Sequence, residues 1–343
     1  MSNLQIGLAI SGGLVLAGVV AYNAWSTRKN APRQAQPDAL DPAQQAQAVE
    51  PGFDVNQFDG GLATLHAVEK RAPLDALIDV IAAVGLDTCV SGEAALAAMP
   101  ATRRVGSKPF GLEGLNEVSL TWETPAPGQR YSAFQTGVQL ANRTGALNEI
   151  EFSEFVQKTQ SFADVFNGTP EFPEMRDEVA RAKELDQFAG DHDAQLGFTL
   201  RAKKTAWSPG YVQQHASRRG FVVGALPGRM VLPASVPGLP PVLDLSFDTH
   251  AALADDPAQS AIHALTLSLD VPLVREDERA FERMCDVAIA LAASMDGLIT
   301  DDNGRIIPID GLAMIGTDLA QLYATLAEHD LAAGSVLARR LFS

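Results

Sequence analysis

Histidine and acidic residues are the first candidates for chemistry in this sequence. His192 lies between Asp191 and Asp193, and these residue types bind metal ions. The six histidines are otherwise scattered along the chain, without the i, i+4 pairing of a helical metal site. A solvated turn before a strand explains the triplet better. We therefore predict no metal site and no cofactor.

Two further acidic clusters have structural explanations. The run Asp-Asp-Asn-Gly at 301–304 resembles the start of a calcium loop, but the terminal bidentate carboxylate is missing, and Asn-Gly favours a tight hairpin turn. The carboxylates at 276–282 are typical of a helix N-terminus, where negative charge is favourable. Phosphate-binding glycine loops, zinc-protease motifs and nucleophile elbows are absent from the sequence. We predict that the protein is not an enzyme.

Charge and cysteine content exclude several other classes. The formal net charge is -16 at pH 7, and no basic stripe follows Arg33, so we predict no nucleic-acid partner. Cys89 and Cys285 are the 2 cysteines, too few for a disulfide framework. This usage agrees with a reducing cytoplasm.

Residues 4–25 (LQIGLAISGGLVLAGVVAYNAW) form an uncharged stretch. A helix of this length matches the ~30 Å hydrocarbon core of a bilayer. A cleavable signal peptide would need a basic start and a shorter apolar core, and a buried core helix would show a polar face. Arg28, Lys29 and Arg33 follow the stretch, which places the N-terminus outside and the body in the cytoplasm. We predict a transmembrane anchor at 1–25, followed by a flexible Ala/Gln/Pro linker at 26–59.

The remainder reads as two α+β domains, at 60–190 and 191–343. The first is predicted to contain a strand or short helix at 74–84, a helix at 91–104 with Ser91 as its N-cap, and strands at 117–124 and 131–141. Two further helices are predicted at 149–167, where the phenylalanines have helical spacing, and at 173–188. The second is predicted to contain strands at 194–203, 242–249 and 262–271, a strand pair or bulged strand at 221–232, and a hairpin at 298–307. Its predicted helices are 208–219, with Ser208 as N-cap and Pro209 at the first helical position, 277–295 and 309–331, and a tail follows at 334–343.

The two series resemble each other. EVSLTWET at 117–124 matches VLDLSFDT at 242–249, and FQTGVQL at 134–140 matches HALTLSL at 263–269. The following helices align without gaps from Phe152 and Phe281 to Gly168 and Gly297. Any two α+β domains of this order share some pattern, but the ungapped helices favour a degenerate tandem duplication.

The stretch LTLSLDVPLVREDERAFERMCDVAIALAASMDGLITDDNGRIIP resembles the bacterial cell-division family ZipA, as do RRGFVVG at 218–224 and the anchor and linker. The resemblance covers the anchor and residues 191–330. It implies a ferredoxin-like or split β-α-β unit, with an antiparallel sheet packed on helices on one face. It also implies a cell-division adaptor at the bacterial inner membrane, with a single span and a periplasmic N-terminus, that tethers the tubulin-like protein FtsZ.

In this family the open sheet face takes the C-terminal peptide of FtsZ. Since strand side chains alternate between faces, Leu196, Phe198 and Leu200 and their neighbours should face the helices. The expected peptide-binding residues are Thr199, Arg201, Leu226, Met230, Ser246, Ala264, Thr266 and Ser268. This face is more polar than an apolar peptide groove should be. An alternative is a membrane-anchored small-molecule sensor built of paired ferredoxin-like units.

Overall fold

The computed structural model describes residues 32–35, 73–254, 256, 260–301, 304–307 and 309–343. These residues divide into two compact units. The first unit falls within Ala46–Asp193 and Thr325–Ser343, and the second within Met1–Gln45 and Ala194–Ala324. The predicted anchor at 4–25 lies outside the described residues. No helix of the described part of the chain has both the length and the apolar character needed to cross a bilayer.

The first unit begins with a long strand where the sequence left helix and strand open. Its strands are β1 (Asp79–Ser91), β2 (Arg104–Val105), β3 (Lys108–Asn116), β4 (Trp122–Glu123), β5 (Arg130–Gln139), β6 (Ala141–Asn142), β7 (Gly145–Ala146) and β8 (Thr169–Glu171). Its helices are α1 (Gly92–Ala98), α2 (Glu149–Asp164) and α3 (Met175–His192). The predicted N-cap Ser91 is confirmed, because its Oγ accepts the N–H of Ala94.

The main sheet of the first unit is antiparallel, with the order β2-β3-β5-β1-β8. The core on its helix side contains Phe110, Phe134, Phe155 and Phe162. Phe134 meets Phe162 edge-on at a centroid distance of 5.1 Å, a favourable aromatic geometry. The helical spacing of the phenylalanines in α2 is thereby explained, because they form one buried face.

The second unit begins at residue 194. Its strands are β9 (Gln195–Ala202), β10 (Val222–Val223), β11 (Arg229–Leu232), β12 (Leu243–Phe247), β13 (Ala264–Asp270) and β14 (Gly297–Thr300). Its helices are α4 (Pro209–Ser217), α5 (Thr249–Ala252), α6 (Ala280–Met295) and α7 (Ile309–Glu328), which ends just past the boundary of this unit. The predicted cap at Ser208, with Pro209 in the first helical turn, is confirmed. Hydrogen bonds from Asp301 N to Arg305 O and from Gly304 N to Asp301 O close the predicted hairpin after β14.

Four strands have the same order in the two main sheets. The second sheet runs β10-β11-β12-β13-β9-β14, so β9, β12, β13 and β14 take the places of β1, β3, β5 and β8. In each unit a helix follows the first strand and the last strand, and a longer helix precedes the last strand (α2 before β8, and α6 before β14). Every strand pairing described in the two sheets is antiparallel. A mixed α+β architecture with antiparallel sheets is thus confirmed.

The strand predicted at 117–124 is wrong. Only β4 forms there, because the Oδ1 atom of Asn116 accepts the N–H groups of Val118 and Ser119 and turns the chain. Val118 is 89% exposed and Leu120, with φ 52, is 72% exposed, so their alternation does not mark a buried face. The strand that takes the place of β12 in the first unit is β3. No strand was predicted at the position of β3.

Residues 32–35 fall within the predicted flexible linker but pair with the second unit. Arg33 bridges Trp207 in a parallel arrangement, and its N–H donates to Ala206 O at 2.7 Å. The Nη2 atom of Arg33 lies 3.0 Å from the Asp296 carboxylate. At this point the segment forms an isolated β-bridge with the second unit, so the prediction of a flexible linker is wrong for residues 32–35.

The last residues, placed by sequence in the domain 191–343, group with the first unit. They form helix α8 (Val336–Leu341), capped by Ser335, whose Oγ accepts the N–H of Ala338. Leu341 and Phe342 are buried. The Nη2 atom of Arg340 donates to Asp79 Oδ1 at 2.5 Å. The C-terminal segment is therefore part of the fold of the first unit.

Candidate functional site

The sheet of the second unit has one apolar and one polar face. The predicted helix-side residues are confirmed there, because Phe198, Leu200, Leu245 and Leu267 are buried with the α6 side chains in one core. Alternate residues along the same strands point to the other side. We call this other side the second-unit open face, lined mainly by Thr199, Ser246, Thr266, Ser268 and Asp244.

Hydroxyl side chains form the centre of the second-unit open face. The strand register places Ser246 opposite Thr266, and Thr266 opposite Thr199. Thr300 continues this row on β14, where its Oγ1 donates to Thr199 O at 3.2 Å. Thr199, Ser246 and Thr266 lie on one face, as strand alternation predicts, and the strand register brings them into a single cross-strand row.

Two flanking rows complete this face. Asp244 lies opposite Ser268, and Ala264 lies opposite Arg201. Leu298 pairs with Arg201 from the other side and is 38% exposed. Apolar anchoring area on this face is therefore small and lies toward its edges.

Two predicted site residues are not on this face. Met230 pairs with Leu245 and is 1% exposed, so its side chain lies in the core on the helix side. Leu226 lies in the turn between β10 and β11, where its carbonyl accepts the N–H of Arg229. The Pro227-Gly228 turn sets a register in which Arg229 and Val231 face outward. The prediction that Met230 lies on the open face is therefore wrong.

The charges on this face are mixed. Burial raises the pKa of Asp244 above its usual value, while the Arg229 guanidinium lowers it and the Asp270 carboxylate raises it further. Two exposed arginines adjoin the hydroxyl row: Arg229 lies at its end, opposite Ser246, and Arg201 lies in the neighbouring row, opposite Ala264. The face can offer hydrogen bonds and charge pairs to an extended peptide, with few apolar contacts.

The residues first considered for chemistry have structural roles. His192 Nδ1 lies 2.7 Å from Phe188 O, and Asp193 pairs with Arg143. Glu278 accepts hydrogen bonds from Ser235 and pairs with Arg283, and the Ser235 hydroxyl holds its pKa below the usual value. No cluster of metal-ligating side chains occurs in the described part of the chain.

Comparison with known families gives one match. Residues 253–316 match the family model described as ZipA, C-terminal FtsZ-binding domain. The matched segment contains β13, α6, β14 and the start of α7. No curated protein matches the chain significantly. The resemblance to the ZipA family is thereby confirmed for this segment, which supports an FtsZ-binding role in cell division.

Proposed function

We propose that the protein is a membrane-anchored adaptor that tethers FtsZ to the bacterial inner membrane through its second unit. The observation that carries this proposal is the family match over 253–316, which includes the β13 strand at the centre of the second-unit open face. Thr266 and Ser268 of this strand project from that face.

The expected mode of binding is an extended peptide laid across the sheet. With hydroxyl groups in the central row, the contacts depend more on hydrogen bonds than on apolar anchors, so a single contact is weak. A polymer presents many copies of its peptide, and attachment to a membrane raises the effective concentration. Weak single-site binding is therefore compatible with tethering.

The membrane attachment rests on the sequence of residues 4–25 and their basic flank. The same features support a single span, a periplasmic N-terminus and a cytoplasmic body. We further infer that the protein acts by binding without catalysis. In support, the sequence contains no phosphate-binding glycine loop, zinc-protease motif or nucleophile elbow.

The test uses the full chain in detergent and a labelled peptide with the C-terminal sequence of FtsZ from the same organism. Fluorescence anisotropy should detect binding at micromolar to millimolar concentration. Thr266→Arg places a long cation in the middle of the hydroxyl row and should weaken binding at least about tenfold, a change of about 1.4 kcal/mol.

Met314→Arg is the matched control, because Met314 is 72% exposed on α7 and lies outside the sheet. It should bind as the wild type does. Absence of wild-type binding at millimolar peptide, or equal binding by Thr266→Arg, would overturn the proposal. Stabilisation by a small metabolite without peptide binding would instead favour the sensor alternative.

A further inference from the structure

The sheet of the first unit also has a face turned away from α2, which we call the first-unit open face. Its central row joins Ile81, Gly137 and Gly111 across β1, β5 and β3. The alignment of residues 134–140 with 263–269 places Gly137 opposite Thr266. With the common order of the four central strands, this row is the counterpart of Thr199, Thr266 and Ser246. Two glycines thus stand where the second unit has hydroxyl side chains.

These two glycines make room for a leucine. A Cβ atom added to Gly111 would lie 2.5 Å from Leu74 Cδ2, and the three nearest heavy atoms all belong to Leu74. A Cβ atom on Gly137 would lie 2.6 Å from the same methyl group. Neither glycine has a φ in the left-handed region, so backbone conformation does not require glycine here. Glycine is needed at the two positions because a side chain would occupy the space that the Leu74 side chain fills.

The leucine is also held through its backbone. Leu74 N donates to Glu113 Oε1 at 2.9 Å, and Gln135 Nε2 donates to Glu113 Oε2 at 2.7 Å. Glu113 is only 6% exposed, and it lies one row from the glycine pair. The carbonyl of Pro73 accepts a hydrogen bond from Arg340 Nη1 at 3.1 Å. An apolar pocket, a buried acceptor and an arginine donor together hold a short peptide segment.

Leu74 itself is only half-buried, and it is not a member of the helix-side core of the first unit. Pro73 before it is exposed. The segment 73–75 therefore covers the first-unit open face as a ligand covers a site, with one side-chain anchor and polar contacts to its backbone.

We propose that the first-unit open face is a second peptide-binding surface. It takes an extended peptide with a leucine-type anchor, and residues 73–75 are its resident occupant. A partner peptide binds when it displaces this occupant from the glycine pair. The surface works independently of FtsZ binding by the second unit.

The test uses the full chain and a labelled synthetic peptide of residues 71–79. In the Leu74→Ala variant no leucine side chain fills the space over the two glycines, so the peptide should bind there. It should bind at least tenfold more tightly than to the wild type. In the wild type the tethered segment competes at an effective concentration on the order of 1 mM. Leu77→Ala is the matched control, because Leu77 is 37% exposed in the following turn. It should behave as the wild type does.

A second variant fills the pocket. Gly111→Val in the Leu74→Ala background should abolish binding, because the added side chain takes the leucine's place and the nearest atoms around this position are those of Leu74 itself. Hydrogen exchange of β13 and β5 checks that both units remain folded. Equal binding by wild type and Leu74→Ala, retained binding in the double variant, or no binding to Leu74→Ala at about 1 mM peptide would each overturn the proposal. Thr266→Arg should leave this binding unchanged, so the result does not depend on the FtsZ experiment.

Discussion

The ion pair between Arg340 and Asp79 offers the sharpest test of how the first unit is held together. The Asp79 side chain is fully buried and that of Arg340 is 19% exposed. Arg340 is the guanidinium partner of Asp79, whose other carboxylate oxygen accepts the N–H of Asp75 at 2.9 Å. Replacing Arg340 with Met keeps an unbranched apolar stem and removes the guanidinium with its charge.

The expected cost is large because a carboxylate stays buried without its cation. Breaking one side of a buried pair typically costs about 3–5 kcal/mol. We expect the lower end, about 3 kcal/mol, because Arg340 is partly exposed and Asp79 can take up a proton instead. This corresponds to about a hundredfold faster hydrogen exchange through local opening of β1 and α8.

The pH dependence has a definite sign. Burial already raises the pKa of Asp79 above its usual value of 3.8, with Arg340 opposing the rise. Because the folded state holds this proton more tightly than the unfolded state, protonated Asp79 contributes to the free energy of unfolding. The contribution is fully present below pH 3.8 and is lost as the pH rises through the folded-state pKa. Loss of Arg340 moves that pKa further up. The defect of Arg340→Met should therefore be smallest in acid and should grow toward neutral pH.

Hydrogen exchange by mass spectrometry measures this effect locally, with β13 in the second unit as the internal reference. Arg339→Met is the matched control on the same helix, since its Nε atom has no hydrogen-bond partner among the described residues. The double variant Asp79→Asn/Arg340→Met should recover most of the loss at neutral pH. Equal effects of Arg340→Met and Arg339→Met, or a defect that does not change with pH, would refute this reasoning.

Two further predictions concern the second unit. A Cβ atom on Gly210 would lie 3.7 Å from Ala35 Cβ, which suits a disulfide, so Ala35→Cys/Gly210→Cys should cross-link on mild oxidation in the native chain. Peptide mapping detects the bond, and formation only in urea would contradict the pairing of 32–35. Gly228 has φ 74 and a Cβ there would lie 2.7 Å from Phe247 O, so Gly228→Ala should lower the unfolding free energy by about 2 kcal/mol or more. Gly238→Ala, with φ 86 and open space around it, should cost about 1 kcal/mol in the same denaturation experiment.

Periodicity and capping signals gave most of the helices and the apolar face of the second sheet. Residues 208–209 and the alternating leucines of β12 and β13 each carry a local signal that the structure retains. The strand β3 was missed because Lys108 and Pro109 and two glycines interrupt its alternation. Its glycines have a tertiary cause, since Gly111 makes room for Leu74, which lies far from it in sequence. A local pattern cannot show such a cause.

The error at Met230 has a different origin. The apolar residues of β11 are Met230, Val231 and Leu232, which fill both faces of a short strand, so alternation alone does not assign them. The register comes from the turn at Gly228, where the positive φ and close contact with Phe247 O fix the pairing. A shift of one residue in the pairing of β11 exchanges its exposed and its buried side chains.

The two sheets show why strand order and surface chemistry can diverge. On the helix side each sheet carries large apolar side chains, because these form the separate hydrophobic core that stabilises each unit. The opposite face of each sheet does not need large apolar side chains. Its residue types can therefore differ between the units, according to the segment or peptide that covers the face. In the first unit the partner side chain is Leu74, and the central residues are glycines. In the second unit the counterpart positions carry hydroxyl groups. Exchanging Ser246 and Thr266 for glycine should therefore make the second-unit open face bind the labelled peptide of residues 71–79, and fluorescence anisotropy measures that binding.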